Sequence, residues 1–182
     1  MNDGLIPMRY AKAIYEVALE KDCATQMYDL MKALSATFYS EPALQATMSN
    51  PYINGSDKIA LLTTVTNGSA VPENFVADVL NLLVRNGRID MIRDIAAAYV
   101  QLYRKINHIY EVKIVSATQM LTAESDRLMS LIKAHLNGGS MEVSSSVDPS
   151  LIGGFSVSVG NERIDASISN ELKQLRLNLI KK

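Results

Sequence analysis

"FVADVLNLLVRNGRID" (Phe75 to Asp90) carries more apolar surface than a solitary amphipathic helix can use. At about 100° per residue, Asn74, Asp78, Asn81 and Arg85 fall at i, i+4, i+7 and i+11 and share a stripe about 60° wide. Phe75, Val76, Ala77, Val79, Leu80, Leu82, Leu83 and Val84 occupy the remaining circumference. A surface helix buries an apolar stripe a little over ~100° wide and gives the rest to water. This helix is therefore either central to its own bundle or has a second apolar face that meets another chain. Asn86-Gly87 ends it, with Gly87 suited to a left-handed C-terminal cap.

A second stretch, "RYAKAIYEVALEK" (Arg9 to Lys21), behaves in the same way. Arg9, Lys12, Glu16 and Glu20 make a narrow polar stripe, while Tyr10, Ala11, Ala13, Ile14, Tyr15, Val17, Ala18 and Leu19 spread around the other side. The alanines would let another helix lie close.

Outward from these two segments, the first hundred residues read as successive helices. Pro7 suits the first turn of helix one, which ends near Asp22. Met27, Leu30, Met31, Leu34 and Phe38 repeat at helical spacing up to the break Ser40-Glu41-Pro42. A short third helix fits Ala43 to Met48, and a fourth runs from Ser56 to Val65, before the break Asn67-Gly68-Ser69. The fifth opens at Pro72, and the sixth carries Ile89, Ile92, Ile95, Ala96, Tyr99, Leu102, Tyr103 and Ile106. Beyond Ile106 the period changes to two. Tyr110, Val112 and Ile114 alternate with Glu111 and Lys113, as in a half-buried strand. A helix follows from Thr122 to the breaker Asn137-Gly138-Gly139. Strands are then expected around Met141 to Val147, Phe155 to Val159 and Ile164 to Ile168, with a turn at Gly160-Asn161. Ile168, Leu172, Leu175 and Leu179 mark a final helix, with Lys181 and Lys182 against its C-terminal dipole. The fold class is mostly α: an N-terminal helical bundle followed by a small α/β domain, with the boundary near Asn107.

Composition bounds the function. The chain has 182 residues, 48% of them hydrophobic and 20% charged, enough to bury a real core. A formal net charge of −1 and the lack of any run of five like charges argue against a nucleic-acid partner. Cys23 is the single cysteine, which rules out an internal disulfide. The N-terminus reads as neither a signal nor a transit peptide, and no apolar run approaches the ~20 residues needed to span a bilayer, so no direct membrane insertion is expected.

Catalytic and cofactor motifs are not found. His108 and His135 have no partner at metal-site spacing, and Ser130-Leu131-Ile132-Lys133 matches S-x-x-K without any companion motif. Gly153-Gly154 and Gly160 do not form a dinucleotide fingerprint, and there is no phosphate-binding P-loop. Asp148, Glu162 and Asp165 lack the spacing of a calcium loop and read as turn and strand-end residues. No cofactor, metal or catalytic residue is expected.

Four stretches in order carry a resemblance: "RYAKAIYEVALE" (Arg9 to Glu20), "LNLLVRNGRID" (Leu80 to Asp90), "YVQLYRKINHIYEVKIVSATQML" (Tyr99 to Leu121) and "VDPSLIGGFSVSVGNERIDASI" (Val147 to Ile168). Together they resemble the delta subunit of the F-type ATP synthase, whose mitochondrial counterpart is the oligomycin sensitivity-conferring protein. Ala166 departs from the pattern, since the family often has glycine there. The resemblance implies a non-catalytic peripheral-stalk (stator) subunit of a proton-translocating ATP synthase. It would be a peripheral membrane protein at the cytoplasmic face of a bacterial inner membrane, tying the catalytic head to the membrane-anchored stalk so that ion flow is coupled to ATP synthesis. It implies a six-helix bundle over residues 1–106, whose first and fifth helices hold the N-terminal helix of an alpha subunit. Tyr10, Ala11, Ile14, Ala18, Phe75, Val79, Leu82 and Leu83 are the expected contacts. It further implies that residues 107–182 meet the b subunits of the stalk, with Ile152, Gly153, Gly154, Phe155, Leu172 and Leu175 as candidates. The competing reading is an RNA-binding helical regulator, which predicts a basic surface stripe and salt-weakened binding.

Overall fold

The computed structural model describes residues 4–66, 71–118, 122–136, 139–160 and 162–180. The expected break at Asn67-Gly68-Ser69, Asn137 and Gly138 of the breaker, Asn161 of the turn, and Lys181 and Lys182 lie outside the described residues. The chain is mostly helical with a small four-stranded mixed sheet. It divides into two compact units, residues 1–105 and 106–182.

The first unit contains α1 (Leu5–Glu20), α2 (Ala24–Ser40), α3 (Pro42–Ser49), α4 (Gly55–Thr66), α5 (Glu73–Arg85) and α6 (Ile92–Ile106), with a 3₁₀ turn (Ile89–Met91) leading into the last. Backbone chemistry fixes the helix ends. After α5, Gly87 takes φ +62°. Its N–H donates to the Val84 carbonyl at 3.0 Å and the Arg88 N–H to the Leu83 carbonyl at 2.8 Å, a Schellman closure. Asp22, at φ +52°, closes α1 in the same manner, with the Cys23 N–H on the Ala18 carbonyl at 2.9 Å.

The core of this unit is built around Leu83, Tyr99, Met27, Ile92 and Ile95, all essentially inaccessible. Tyrosines knit α1, α2 and α6 together. Tyr28 stacks on Tyr103 at 4.4 Å, and Tyr15 meets Tyr99 edge-on at 6.1 Å. The Tyr99 hydroxyl donates to the Ala24 carbonyl at 3.2 Å, and burial pushes its pKa well above the ordinary tyrosine value. Lys58 is buried too, and its ammonium donates to the Met48 carbonyl at the end of α3 at 2.7 Å. Gly55, the first residue of α4, lies directly against the Val84 side chain of α5.

The second unit contains β1 (Ile109–Ser116), α7 (Thr122–His135), β2 (Ser140–Val147), β3 (Gly154–Val159), β4 (Glu162–Ser167) and α8 (Ile168–Ile180). The strand order is β2-β1-β3-β4, with β1 and β2 parallel and the other pairs antiparallel. Parallel pairing requires a crossover, and α7 supplies it. Val112, Ile114 and Val157 pack against Ile132 of that helix, with Leu128, Met129 and Leu136 around them.

The paired glycines before β3 have distinct jobs. Gly154 sits at φ +77°, and a Cβ there would run into the Ala166 carbonyl oxygen of β4. Ala166, the departure from the family pattern, is itself exposed, so its methyl group goes to solvent without steric cost. Gly154→Ala meets both the backbone clash and a disfavoured φ, and is expected to destabilise the second unit by about 2 kcal/mol or more. Native-state hydrogen exchange of the β3 amides reads this directly, and unchanged protection would refute it.

Candidate functional site

α1 and α5 border an apolar groove of about 190 Å³. Asn86, just past the end of α5, donates to the Tyr10 hydroxyl near the start of α1 at 3.1 Å. The Lys21 ammonium at the far end of α1 lies over the Phe75 ring at 4.7 Å. These two contacts, one at each end, mean that the helices run antiparallel. At 1.5 Å per residue, the span from Tyr10 to Lys21 is about 16 Å, or about three turns of a third helix.

The groove walls are Tyr10, Ala13, Ile14, Val17 and Lys21 from α1 and Phe75, Asp78, Val79, Leu82 and Leu83 from α5. On each helix these positions follow the i, i+3, i+4, i+7 spacing of one face. Of the residues expected from sequence, Tyr10, Ile14, Phe75, Val79, Leu82 and Leu83 are brought together here. Ala11 and Ala18 are not. Both are fully buried on the neighbouring stripe of α1, where small side chains admit close helix packing, so they belong to the core rather than to the groove. Ala13, Val17, Lys21 and Asp78 were missed. Their signal was present in the 10, 13, 14, 17, 21 and 75, 78, 79, 82 spacings, but the apolar circumference of each helix hid which arc was free.

The walls differ in depth. Leu83 is inaccessible and Phe75 is 3% exposed, whereas Leu82 is 47% and Val17 is 38% exposed. Lys21 and Asp78 supply the charges among the lining residues, at positions open to solvent. Nothing in this arrangement activates a nucleophile or polarises a bond.

In the second unit, the expected stalk-facing residues divide by role. Gly153 packs beneath the Ile168 side chain, Gly154 beneath β4, and Phe155 is half-buried beside the sheet core. All three also make contacts within the fold. Ile152 is 70% exposed and sits at φ +66°, an uncommon conformation for a β-branched residue. Leu172 is exposed as well, as is Ile168, which the sequence placed both at the end of the fourth strand and on the final helix's stripe, and which the structure puts at the start of α8. Leu175 lies on α8, with its side chain outside those described.

Two of the three acidic residues considered for a cation, Asp148 and Asp165, are held in turns and caps. Asp148 accepts from the Ser150 N–H at 2.9 Å. Asp165 accepts from the Ser167 N–H at 3.1 Å and its hydroxyl at 2.6 Å, while the Ser167 hydroxyl caps α8 by accepting from the Asn170 N–H at 3.2 Å. Ser130 of the S-x-x-K match bonds back to the Asp126 carbonyl of its own helix at 2.8 Å.

The family model for the ATP synthase delta (OSCP) subunit matches residues 6–179. The chain belongs to the ATP synthase delta (OSCP) subunit family. ATP synthase subunit delta of Bacteroides thetaiotaomicron is 34% identical over 182 residues, covering 100% of this chain and 97% of that protein. The Parabacteroides distasonis protein of the same name is 36% identical over 180 residues, covering 99% and 98%. A chain of the Toxoplasma gondii mitochondrial ATP synthase hexamer, seen by cryo-EM, shares the fold with a TM-score of 0.72 at 20% identity, over 96% of this chain and 97% of that one. Membership of the delta (OSCP) family makes this a non-catalytic peripheral-stalk subunit and decides against the RNA-binding reading. Among the described residues, no helix is long and apolar enough to cross a membrane.

The difference in depth across the groove predicts opposite costs for adjacent leucines. Leu83→Ala should destabilise the first unit by about 2–5 kcal/mol through the cavity it leaves, and Leu82→Ala by less than about 1 kcal/mol. Urea unfolding followed by far-ultraviolet circular dichroism would distinguish them, and equal losses would contradict the assigned depths. The cap at α8 predicts acid sensitivity. Hydrogen bonds from Ser167 come first among the causes that hold the Asp165 carboxyl below its ordinary 3.8. A depressed folded-state pKa contributes stability above the unfolded value and loses it as pH falls through the folded one. The α8 amides should therefore lose protection as pH falls from about 5 towards 2, and Asp165→Asn should flatten that dependence. An unchanged slope in the variant would place the acid sensitivity elsewhere.

Proposed function

We propose that the α1/α5 groove receives the N-terminal helix of an ATP synthase alpha subunit. The observation carrying this reading is an apolar groove about three helical turns long with half-exposed Leu82 and Val17 in its walls. Lipid or a small metabolite would not require so long a track between two helices, whereas an amphipathic helix lays its own apolar face into one. On this reading the first unit acts as a six-helix bundle with α1 and α5 as its docking face. The second unit meets the b subunits of the stalk through Ile152, Ile168 and Leu172, at the cytoplasmic face of a bacterial inner membrane.

The mechanism is static. A rotating shaft drags the catalytic head with it unless a non-rotating element holds the head and the membrane-anchored stalk together. Two docking units on one chain do this, because engagement of the first raises the effective concentration of the second. The subunit resists torque through its interfaces, and standard specific interfaces bury about 1,200–2,000 Å².

Calorimetric titration of the full-length chain with a synthetic peptide of the first ~20 residues of the same organism's alpha subunit tests this, since that length spans the groove with margin. One-to-one binding with a negative heat-capacity change is expected. Leu82→Asp should weaken it at least tenfold, or about 1.4 kcal/mol, without unfolding the chain. Phe75→Ala, which removes a buried anchor, should cost about 2 kcal/mol or more of binding. Wild-type affinity in the Leu82→Asp variant would remove the groove from the interface.

A further inference from the structure

The four-stranded sheet has two edges of different character. β4 has six residues, of which Glu162, Arg163 and Asp165 are charged, a pattern that discourages pairing with foreign strands. β2 has eight residues, "SMEVSSSV", with Glu142 its one charge and neither lysine nor proline. Among the described residues, that edge is long and unguarded.

Its hydrogen-bonding phase can be worked out. The Asp148 N–H donates to the Ser116 carbonyl at 2.8 Å, and the Ser144 hydroxyl reaches the Val112 carbonyl at 3.5 Å. Ser116 lies opposite Val147 and Val112 opposite Val143. In a parallel pair, each such carbonyl serves the residue after its partner, so Ser144, Ser146 and Asp148 turn their N–H groups towards β1. The N–H and C=O groups of Met141, Val143, Ser145 and Val147 then point to the open edge. Their side chains share the sheet face of Val112 and Ile114, beneath α7. A groove of about 480 Å³ runs there, with Met129, Val143, Ser145 and Val147 among its walls. Val143 and Val147 are 37% and 53% exposed.

We propose that β2 accepts an extended segment of another polypeptide as a fifth strand, with apolar side chains at alternate positions entering the groove beside α7. The backbone edge selects a strand rather than a helix, and the groove selects apolar residues at every second position. A second copy's β2 would bring serine to the centre of that groove, a poor filler for its volume.

The probe is a synthetic octapeptide amide, Lys-Val-Thr-Val-Thr-Val-Thr-Lys, titrated into the full-length chain and followed by amide hydrogen exchange resolved by NMR. Saturable one-to-one binding should slow exchange at Met141, Val143, Ser145 and Val147 at least tenfold. Ser145→Pro removes an outward N–H that β1 does not use, and proline is tolerated at such edge positions. It should weaken binding at least tenfold with β1 amide protection retained, whereas Ser145→Ala should bind as wild type. Unchanged exchange at saturating peptide, or equal binding by Ser145→Pro, would overturn the proposal. Slowing of the same four amides with rising concentration of the chain alone would also overturn it, by giving the edge to a second copy.

Discussion

The first unit depends on the burial of α5. Its sequence leaves water only the stripe of Asn74, Asp78, Asn81 and Arg85, all exposed, and Phe75, Val76, Val79, Leu80 and Leu83 must find apolar neighbours. Burying side chains of this size is worth about 1.5–3 kcal/mol each relative to exposure, which outweighs the modest propensity differences along the helix. Much else follows from that demand. Gly55 lets α4 approach Val84, the Gly87 cap turns the chain back at once, and the tyrosines of α1, α2 and α6 tie the remaining helices together. The apolar arc left after this packing is the wall of the groove.

Helix limits and strand order of appearance were legible because the periodicities differ, 3.6 before Ile106 and two after it. The caps were legible where glycine marked them, as at Gly87. What could not be read was the division of an almost wholly apolar helix between core and groove. Ala11 and Ala18 look no different in sequence from Ala13, yet two are core and one lines the open wall. Position relative to the other helices decides, and that is set by packing among elements far apart in the chain.

Lys58 shows the same limit in a charged residue. It lies in the first turn of α4 and folds inward to the Met48 carbonyl. A lysine near the last carbonyls of a helix is a favourable partner for its C-terminal dipole, but here the helix is the preceding one, brought alongside by the intervening turn. In the second unit, the twin glycines sit at close approaches of the chain. Which strand approached, and that only Gly154 needs a positive φ, emerged from the pairing of β3 with β4.

The serine content of β2 bears on how a stator subunit survives before assembly. An unguarded strand edge is a template for fibrous stacking when the chain is made in excess of its partners. Ser140, Ser144, Ser145 and Ser146 lower the hydrophobicity and zipper-forming tendency of that segment while leaving its backbone groups available. The side chains of β2 thus oppose stacking of the orphan chain without blocking the backbone groups of its outer edge.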